Sequence, residues 1–554
     1  MGTATSLRRL SSLALLVIPN LAPGVLLRMD KPWEYAPAVY CLGNGLWIAH
    51  FQWSRFRWKH DEDVAGVWLP CLLMTLGALS WGWLGEPIGT LNDGLAWDGQ
   101  HYAAIYSYFS SGVYTPIVPA FPYSQRIALP FLAAHLPLPP RESFLLLDAV
   151  FWSATIVLFA ICCRTCFKLT TAAIQFGVLW LQILWLSIPR GATTYSFTVD
   201  AAALFFIQAW ICLLFTRRWR WLLPLCALVG VLFKETMLLV VLLSVVALCV
   251  MWIIPRFRRT LPADLSDRRS STLAAVALAV IAGLIAKSLA AHALPHPDPG
   301  TGSAWRTMAH WLRFRAEDPW QVLRYVAATF SAYGGFALLA VATFGKPAAH
   351  DRGWEFRLAA TLCALYFAIC FVAGSDLTKF AFMAFPFAFP ILLKRFDEVT
   401  PALAMAALVM GLPAAQAFTP IPSTVPGHDY PSQDLQGIYS WMMEYAHPAI
   451  VGSWMAWWLA CILALRSIAF STIWRPELGR VDTGAANSRT GDAGFGFSEE
   501  RASAFPVATT GHSNKDAGGA GSASVTLLDS TTQDQTSAAQ WPSSDPTSFS
   551  KKTN

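Results

Sequence analysis

The stretch from Trp221 to Ile254, WLLPLCALVGVLFKETMLLVVLLSVVALCVMWII, is apolar in both of its halves. Its charged residues, Lys234 and Glu235, lie near its middle, and arginines flank it at 217–220 and 256–259. The stretch is too long for one membrane crossing, which takes about 20 residues. Short cytoplasmic loops are enriched in Lys and Arg, so both flanks belong on the same side. We therefore predict two short membrane helices that meet at Lys234 and Glu235 on the outer side.

The rest of the chain has the same character. Of its 554 residues, 55% are hydrophobic and 13% are charged, which is about half the charged share of a typical soluble domain. The charges collect in short clusters between apolar runs of about 15 to 22 residues, long enough to cross hydrocarbon as helices. Barrel strands would alternate in character over about ten residues, and open sheet edges cannot be satisfied in lipid. We therefore predict an all-α, polytopic bundle of transmembrane helices.

The apolar runs predict about 12 to 14 spans. Their orientation follows from the positive-inside rule, because an inner N-terminus puts six basic clusters in the cytoplasm, at 55–59, 164–168, 217–220, 256–259, 346–357 and 394–395. Both chain termini are then cytoplasmic, and a bacterial inner (plasma) membrane is the expected location. We place the spans near residues 10–27, 36–52, 64–84, 143–163, 171–188, 198–215, 221–234, 236–254, 272–294, 325–345, 357–374, 379–394, 400–418 and 449–466.

The chain divides into N-terminal spans (1–63), a transmembrane core (64–475) and a tail (476–554). Within the core, a long loop at 85–142 is predicted to lie outside. Residues 304–324 are predicted to form an amphipathic helix at the membrane surface, whose arginines we expect to contact a lipid phosphate. The tail is rich in Gly, Ser, Thr, Asp and Asn. Such a composition buries too little apolar surface to fold, so we predict a disordered cytoplasmic tail.

Neither the charge nor the cysteines indicate a further class of partner. The net charge of +6 comes from basic residues that membrane topology explains, so we expect no nucleic acid partner. The eleven cysteines fall almost wholly in apolar runs and read as small buried hydrophobes. Cys163 and Cys166 form a C-x-x-C pair, but a zinc site needs a second pair.

The outer loop carries the densest group of polar residues. Asp93 is followed by WDGQHY at 97–102, and FPYSQRIALP at 121–130 contains Arg126. A carboxylate at a membrane surface can act as a general base or bind a metal. Asp98 can instead cap a helix that runs from Gly99 to Ser110, and spacing alone slightly favours this capping interpretation.

The order of these motifs resembles the first outer loop of membrane glycosyltransferases of the GT-C superfamily, similar to dolichyl-phosphate-mannose mannosyltransferases and their bacterial relatives. The matching elements are Asp-Gly-x-x-Tyr at 98–102, Gly-x-Tyr at 112–114 and a Pro-to-Pro segment at 122–130. Three later elements follow in the family's order, with lysine in place of the usual arginine in the last: TVD at 198–200, GVLFKE at 230–235 and GSDLTKF at 374–380. The resemblance covers roughly residues 64 to 400.

The resemblance implies a donor sugar on a polyprenyl phosphate and a loop carboxylate that activates the acceptor. Asp98 is then the catalytic base, with Asp93 as the second candidate. Cations would stabilise the leaving phosphate. The candidate substrate-binding residues are His101, Tyr102, Arg126, Arg190, Lys234, Glu235, Asp376 and Lys379.

Several alternatives stay open for these residues. Lys234 could simply pair with Glu235 or extend toward the membrane surface, and Arg190 could be a helix-end charge. Asp200 could cap a helix as easily as act in a site. We assign no metal site and no certain cofactor, although a divalent metal held by Asp98 and His101 is possible.

The sequence therefore predicts a glycosyltransferase that moves a sugar from a membrane lipid donor to a glycan, lipid or protein acceptor at the outer face. The alternative is a transporter or flippase of a lipid-linked glycan, although such proteins usually show inverted repeats and broken helices. A scaffold protein is a third class, but it would not need acids and cations clustered outside.

Overall fold

The computed structural model describes residues 2–29, 35–53, 65–86, 98–115, 117–254, 269–295, 304–318, 320–345, 353–373, 377–418 and 446–473. Within these ranges the secondary-structure elements are helices, which confirms the all-α fold class. The predicted tail at 476–554 lies outside the described residues.

The helices of the described residues are numbered in chain order. Their bounds are Gly2–Arg28 (α1), Tyr35–Ile48 (α2), Ala65–Gly85 (α3), Asp98–Ser111 (α4), Ala128–Ala134 (α5), Pro140–Thr165 (α6), Thr171–Ile183 (α7), Ile188–Thr194 (α8), Asp200–Phe215 (α9), Leu223–Phe233 (α10), Thr236–Ile253 (α11), Arg269–Ala293 (α12), Ala304–Glu317 (α13), Trp320–Ala342 (α14), Trp354–Ala373 (α15), Leu377–Met383 (α16), Phe385–Asp397 (α17), Pro401–Ala415 (α18) and Pro448–Ile473 (α19).

Each predicted span contains a helix, but the helices differ in length. In the described part of the chain, eight are long and apolar enough to cross a membrane. The pair α16 and α17 is bent by 73° and would make a ninth span. Shorter apolar helices occupy four further predicted spans. At about 1.5 Å per residue, helices such as α10 and α18 fall short of a hydrocarbon core about 30 Å thick.

The predicted break in the long apolar stretch is confirmed. Helix α10 ends at Phe233 and α11 begins at Thr236, with the backbone extended at Lys234. The break leaves Lys234 and Glu235 at the joint between two apolar helices.

Helix α7 lies at the centre of the bundle, and every one of its residues is buried. Its Trp180 lies against Gly334 of α14, where a Cβ atom would come within 2.1 Å of the indole ring. Gly334 has φ of +46°, a conformation that favours glycine. Beside it, Gly335 meets Gly411 of α18 so closely that a Cβ on Gly411 would lie 2.1 Å from the Gly335 nitrogen. Small residues thus let these helices approach closely.

The N-terminal helices pack against the core instead of standing apart from it. Tyr40 of α2 donates a hydrogen bond to the carbonyl oxygen of Met74 in α3, at 2.7 Å. The side chains of Asn20 and Asn44 join α1 to α2 at 3.1 Å. Buried polar side chains need such partners in an apolar environment.

Helix ends predicted on the cytoplasmic side meet at one end of the bundle. Phe167 packs edge-on against Phe215 and Phe356, and Phe215 packs in the same way against Trp354. Nearby, Thr170 donates a hydrogen bond to Asp397 at 2.5 Å. The residues predicted outside gather elsewhere, in the site described below.

The predicted interfacial helix ends earlier than expected. Helix α13 spans Ala304–Glu317, and Asp318 accepts a hydrogen bond from the Trp320 nitrogen at 2.9 Å, which caps α14. Arg313 is exposed and pairs with Glu317. Arg315 is buried, with its guanidinium 5.5 Å from the Trp311 ring centre. Arg315 therefore packs within the protein, whereas we had expected it at a lipid phosphate.

Candidate functional site

Helix α4 carries the predicted base at its first residue. The Oδ1 atom of Asp98 accepts a hydrogen bond from the Tyr123 hydroxyl at 2.7 Å. Its position in the first turn also suits a carboxylate, because the N-terminal end of a helix dipole attracts negative charge. Asp98 is partly buried, and its described hydrogen bond goes to a side chain rather than to a backbone N–H.

Tyr123 connects the acid to its neighbours. Its ring stacks on His101 with ring centres 4.3 Å apart, and Tyr102 packs edge-on against it at 5.9 Å. The guanidinium of Arg126 lies 5.0 Å from the centre of the same ring. His101 also accepts a hydrogen bond from the Ala120 nitrogen at 3.4 Å. His101 is thus held between Tyr123 and the backbone of the loop.

Arg126 is the centre of a second group. Its Nε and Nη2 atoms donate to the two carboxylate oxygens of Glu235, the first at 2.8 Å, and its Nη1 donates to the Tyr102 hydroxyl at 2.6 Å. This is the paired geometry in which guanidinium binds carboxylate best. Arg126 therefore ties the outer loop to the joint between α10 and α11.

A third group consists of two lysines that share one carboxylate. Lys234 donates to Oδ1 of Asp200 at 2.5 Å, and Lys379 of α16 lies 2.7 Å from Oδ2. Lys234 thus pairs with Asp200 of the neighbouring helix α9 and not with its chain neighbour Glu235. We call the residues of these three groups the polar site: Asp98, His101, Tyr102, Tyr123, Arg126, Asp200, Lys234, Glu235 and Lys379.

The charges of the polar site determine one another's protonation. Burial lowers the pKa of Lys234, and the Asp200 carboxylate partly offsets that effect. Burial also disfavours the charged form of Arg126, but Glu235 more than compensates and holds its pKa well above the usual value. Conversely, burial raises the pKa of Glu235 while Arg126 brings it below its usual value. Arg126 and Glu235 are therefore both charged at neutral pH, and the charge of Lys234 depends on Asp200.

Asp148 lies beside the polar site without a partner in it. It is buried in α6, its nearest described charge interaction is with Asp200, and neither of its carboxyl oxygens accepts a hydrogen bond from a described residue. An acid in such a place is costly and is a functional suspect by default.

Arg190 is held in a different environment. Its side chain and that of Glu86 are both fully buried and form an ion pair at 2.5 Å. Arg190 also donates to the carbonyl oxygens of Gln416 at 2.9 Å and Ile183 at 3.2 Å. We had proposed Arg190 as a substrate-binding cation, but these contacts join α8 to α3, α7 and the end of α18.

Two predicted site residues, Asp93 and Asp376, lie outside the described residues. No group of three or more His, Cys, Asp or Glu side chains among the described residues could hold a metal ion. The described residues thus give Asp98 and His101 no third side chain with which to hold a metal ion.

The structure adds to the polar site Tyr123, which the sequence did not identify, and Asp200, which the sequence left open between a cap and a site residue. Tyr123 lies inside the FPYSQRIALP segment, but nothing in the spacing of residues shows which ring contacts Asp98. Asp200 was weighed as a capping residue, and its two lysine partners are far away in the chain. In the sequence, an acid or a lysine stands at several of the helix ends predicted outside, such as Asp200, Lys234 and Lys379, and this pattern could have suggested the grouping.

Comparison with protein-family models, with curated proteins and with solved structures found no match to this chain.

Proposed function

We propose that this protein is an integral membrane glycosyltransferase that transfers a sugar from a polyprenyl-phosphate donor to a hydroxyl group of a glycan, lipid or protein acceptor at the outer membrane face. One observation carries the proposal. Asp98 is linked through Tyr123 to Arg126. Arg126 binds Glu235, and the neighbouring Lys234 shares Asp200 with Lys379. An acid and three cations from distant parts of the chain thus lie in one connected polar site. The GT-C resemblance of the same residues supports it.

The reaction needs a base and a stabiliser of the leaving group. In our proposal the acceptor oxygen attacks the anomeric carbon, and Asp98 takes the hydroxyl proton. The bond between that carbon and the phosphate oxygen breaks, and its electron pair stays on the phosphate. The Tyr123 hydroxyl fixes one oxygen of Asp98, which leaves the other for the acceptor. A positioned base contributes on the order of 10²- to 10⁴-fold in rate.

The phosphate would bind at Lys234 and Lys379. Their ammonium groups share the single negative charge of Asp200, so this group of three carries a net positive charge. A charge that develops on the departing phosphate is stabilised by cations that are already in place. Because Lys234 lies at a helix joint and Lys379 in a short helix, both are near helix ends, where a lipid headgroup would be.

A flippase for a lipid-linked glycan is the second candidate. The bend of 73° between α16 and α17 is a broken helix of the kind found at transporter binding sites. Asp148, which is buried and has no hydrogen-bond partner among the described residues, would also suit a substrate pathway. This candidate needs no base at position 98.

The test is sugar transfer in membranes from a radiolabelled polyprenyl-phosphate sugar. Asp98→Asn keeps the shape of the side chain and caps helices about as well, so we expect normal abundance and at least a hundredfold loss of rate. Asp318→Asn is the matched control, because Asp318 also begins a helix but lies in a different group of contacts.

Each result decides between the proposals. Full activity in Asp98→Asn with loss in Asp93→Asn would move the base five residues upstream. Full activity in both variants would refute the proposed role of the loop acids. Absence of transfer by the wild type, with intact movement of the lipid-linked sugar across proteoliposomes, would favour the flippase.

A further inference from the structure

Asp200 is held more firmly than a capping residue requires. Its Oδ2 accepts a hydrogen bond from the Thr198 hydroxyl at 3.1 Å, and its own nitrogen donates to that hydroxyl at 3.1 Å. It also lies in the first turn of α9, where the helix dipole stabilises a negative charge. The carboxylate thus has contacts that do not depend on either lysine.

Lys234 depends on the Asp200 carboxylate more than Lys379 does. The Lys234 side chain is 7% exposed and Asp200 is 15% exposed, whereas Lys379 is 32% exposed. Besides Asp200, the described contact of the Lys234 ammonium is the Met383 sulfur at 3.9 Å. A buried ammonium without a counter-charge gives up its proton or leaves its place. Lys379 can be solvated instead.

We propose that Asp200 is a positioning residue, which keeps the Lys234 ammonium charged and holds it beside Lys379 as a paired site for the donor phosphate. This inference rests on the proposed function, because it assigns the two lysines to that phosphate. Asp200 acts through Lys234 and Lys379 and does not itself contact the reacting atoms.

The proposal has a pH signature. The charged groups around Lys234 are Asp200, Lys379, Arg126 and Glu235, and Asp148 and Asp98 lie one step further away. Of these, Asp200 is the main group that keeps the proton on Lys234 against the effect of burial. When Asp200 is made neutral, the pKa of Lys234 falls further below its ordinary value. Phosphate binding is then lost at a lower pH than in the wild type, and it returns as the pH is lowered.

An opposite role for Asp200 makes the opposite prediction. If its carboxylate competed with the phosphate for the lysines, its removal would strengthen binding. The sign of the change therefore separates a positioning residue from a competitor.

The experiment measures binding of farnesyl phosphate, a short polyprenyl monophosphate, to the purified full chain in detergent at several pH values from 6.5 to 9.5. Farnesol is the control for the lipid chain and inorganic phosphate for the headgroup alone. The variants are Asp200→Asn, Asp200→Glu and the control Asp397→Asn, whose acid bonds to Thr170 in a separate group. The ionisation of farnesyl phosphate itself also changes with pH. This change affects the wild type and the variants equally, so it cancels in the ratio of their affinities.

We expect Asp200→Asn to bind at least about tenfold more weakly at pH 9, with a ratio that grows by up to tenfold per pH unit, as loss of one proton requires. Asp200→Glu should restore most of the affinity, and Asp397→Asn should match the wild type. Tighter binding by Asp200→Asn, or a ratio that does not change with pH, would overturn the positioning role.

Other results of the same experiment would refute the proposed function without bearing on the role of Asp200. If the wild type binds farnesyl phosphate no better than farnesol, the donor assignment is wrong, whatever the variants do. If inorganic phosphate competes as strongly as farnesyl phosphate, the lysines bind free phosphate and the lipid donor is excluded.

Discussion

Tyr123 is the residue through which the acid and the arginine of the polar site are connected. Its hydroxyl donates to Asp98, and its ring contacts both His101 and Arg126. The Tyr123→Phe variant keeps the ring and loses the hydrogen bond. A hydrogen bond to a charged group contributes about 1.5 to 3 kcal/mol, so we expect kcat for sugar transfer to fall by about tenfold to a hundredfold with KM little changed.

Tyr108 offers a matched control for this prediction. It stacks on Tyr114 in the same loop with ring centres 5.0 Å apart, and Tyr108→Phe should leave kcat unchanged. Equal rates for the two phenylalanine variants would mean that Tyr123 does not position the base.

The pair of Glu86 and Arg190 gives a prediction about stability. Both side chains are fully buried, and removing one partner leaves the other charge without compensation. We expect Glu86→Gln to cost about 3 to 5 kcal/mol and to lower the melting temperature in detergent, while transfer per folded molecule stays normal. Glu317→Gln breaks an exposed pair with Arg313 instead and should cost less than about 1 kcal/mol.

A loss of transfer activity in folded Glu86→Gln protein would indicate that Arg190 binds substrate, as the sequence predicted. A melting temperature equal to that of the wild type would show that the buried pair does not hold α3 to α8.

Among the elements, the contact of α14 with α18 depends on two glycines. A Cβ atom on Gly411 would lie 2.1 Å from the nitrogen and 2.6 Å from the Cα of Gly335. Because backbone atoms cannot move aside as a flexible side chain can, we expect Gly411→Ala to destabilise the bundle by about 1 to 3 kcal/mol. The measurement is thermal unfolding of the purified protein in detergent.

Gly452 of α19 provides the control with the opposite sign. Nothing lies within 4 Å of a Cβ atom built there, and alanine favours a helix by about 1 kcal/mol over glycine. Gly452→Ala should therefore be neutral or slightly stabilising. If Gly411→Ala behaved in the same way, the two helices would have to be more loosely packed than described.

The elements could be predicted from the sequence because hydropathy determines them. The break at Lys234 and Glu235 follows from two charges within an apolar stretch flanked by arginines. The partners of those charges could not be predicted in the same way. Lys234 pairs with Asp200 and Glu235 with Arg126, since neighbouring residues at a helix joint point in different directions. Lys234 finds its opposite charge on α9, and Glu235 finds its own in the loop segment before α5.

At the scale of the whole molecule, the positive-inside rule predicts which end of the bundle faces out. Ser111 is exposed at the end of α4. A cysteine at this position, in a chain that carries Cys166→Ser, should react with a membrane-impermeant maleimide added to intact cells. Reaction only after permeabilisation would invert the topology and put the polar site on the cytoplasmic side.

Cys166 can report on the opposite end of the bundle, which is predicted to face the cytoplasm. Cys166 follows α6, and its hydrogen bonds with the Cys162 thiol and with Thr165 lower its pKa to about 7. The thiolate, which is the reactive form, therefore increases as the pH rises through about 7. We expect native Cys166 to be labelled faster at pH 8 than at pH 6, and only in permeabilised cells. Labelling of intact cells, lost in Cys166→Ser, would contradict the orientation.

The sharing of Asp200 by two lysines has a consequence for biosynthesis. A nascent chain enters the membrane from its N-terminus, so Asp98, Asp200 and Lys234 are inserted long before Lys379, which follows α12 to α15. Until α16 has been synthesised, the nascent chain contains Lys234 but lacks Lys379, so Asp200 has a single lysine partner. We expect such a chain to be inactive toward the lipid donor, so that competence for transfer begins only after Lys379 has been synthesised.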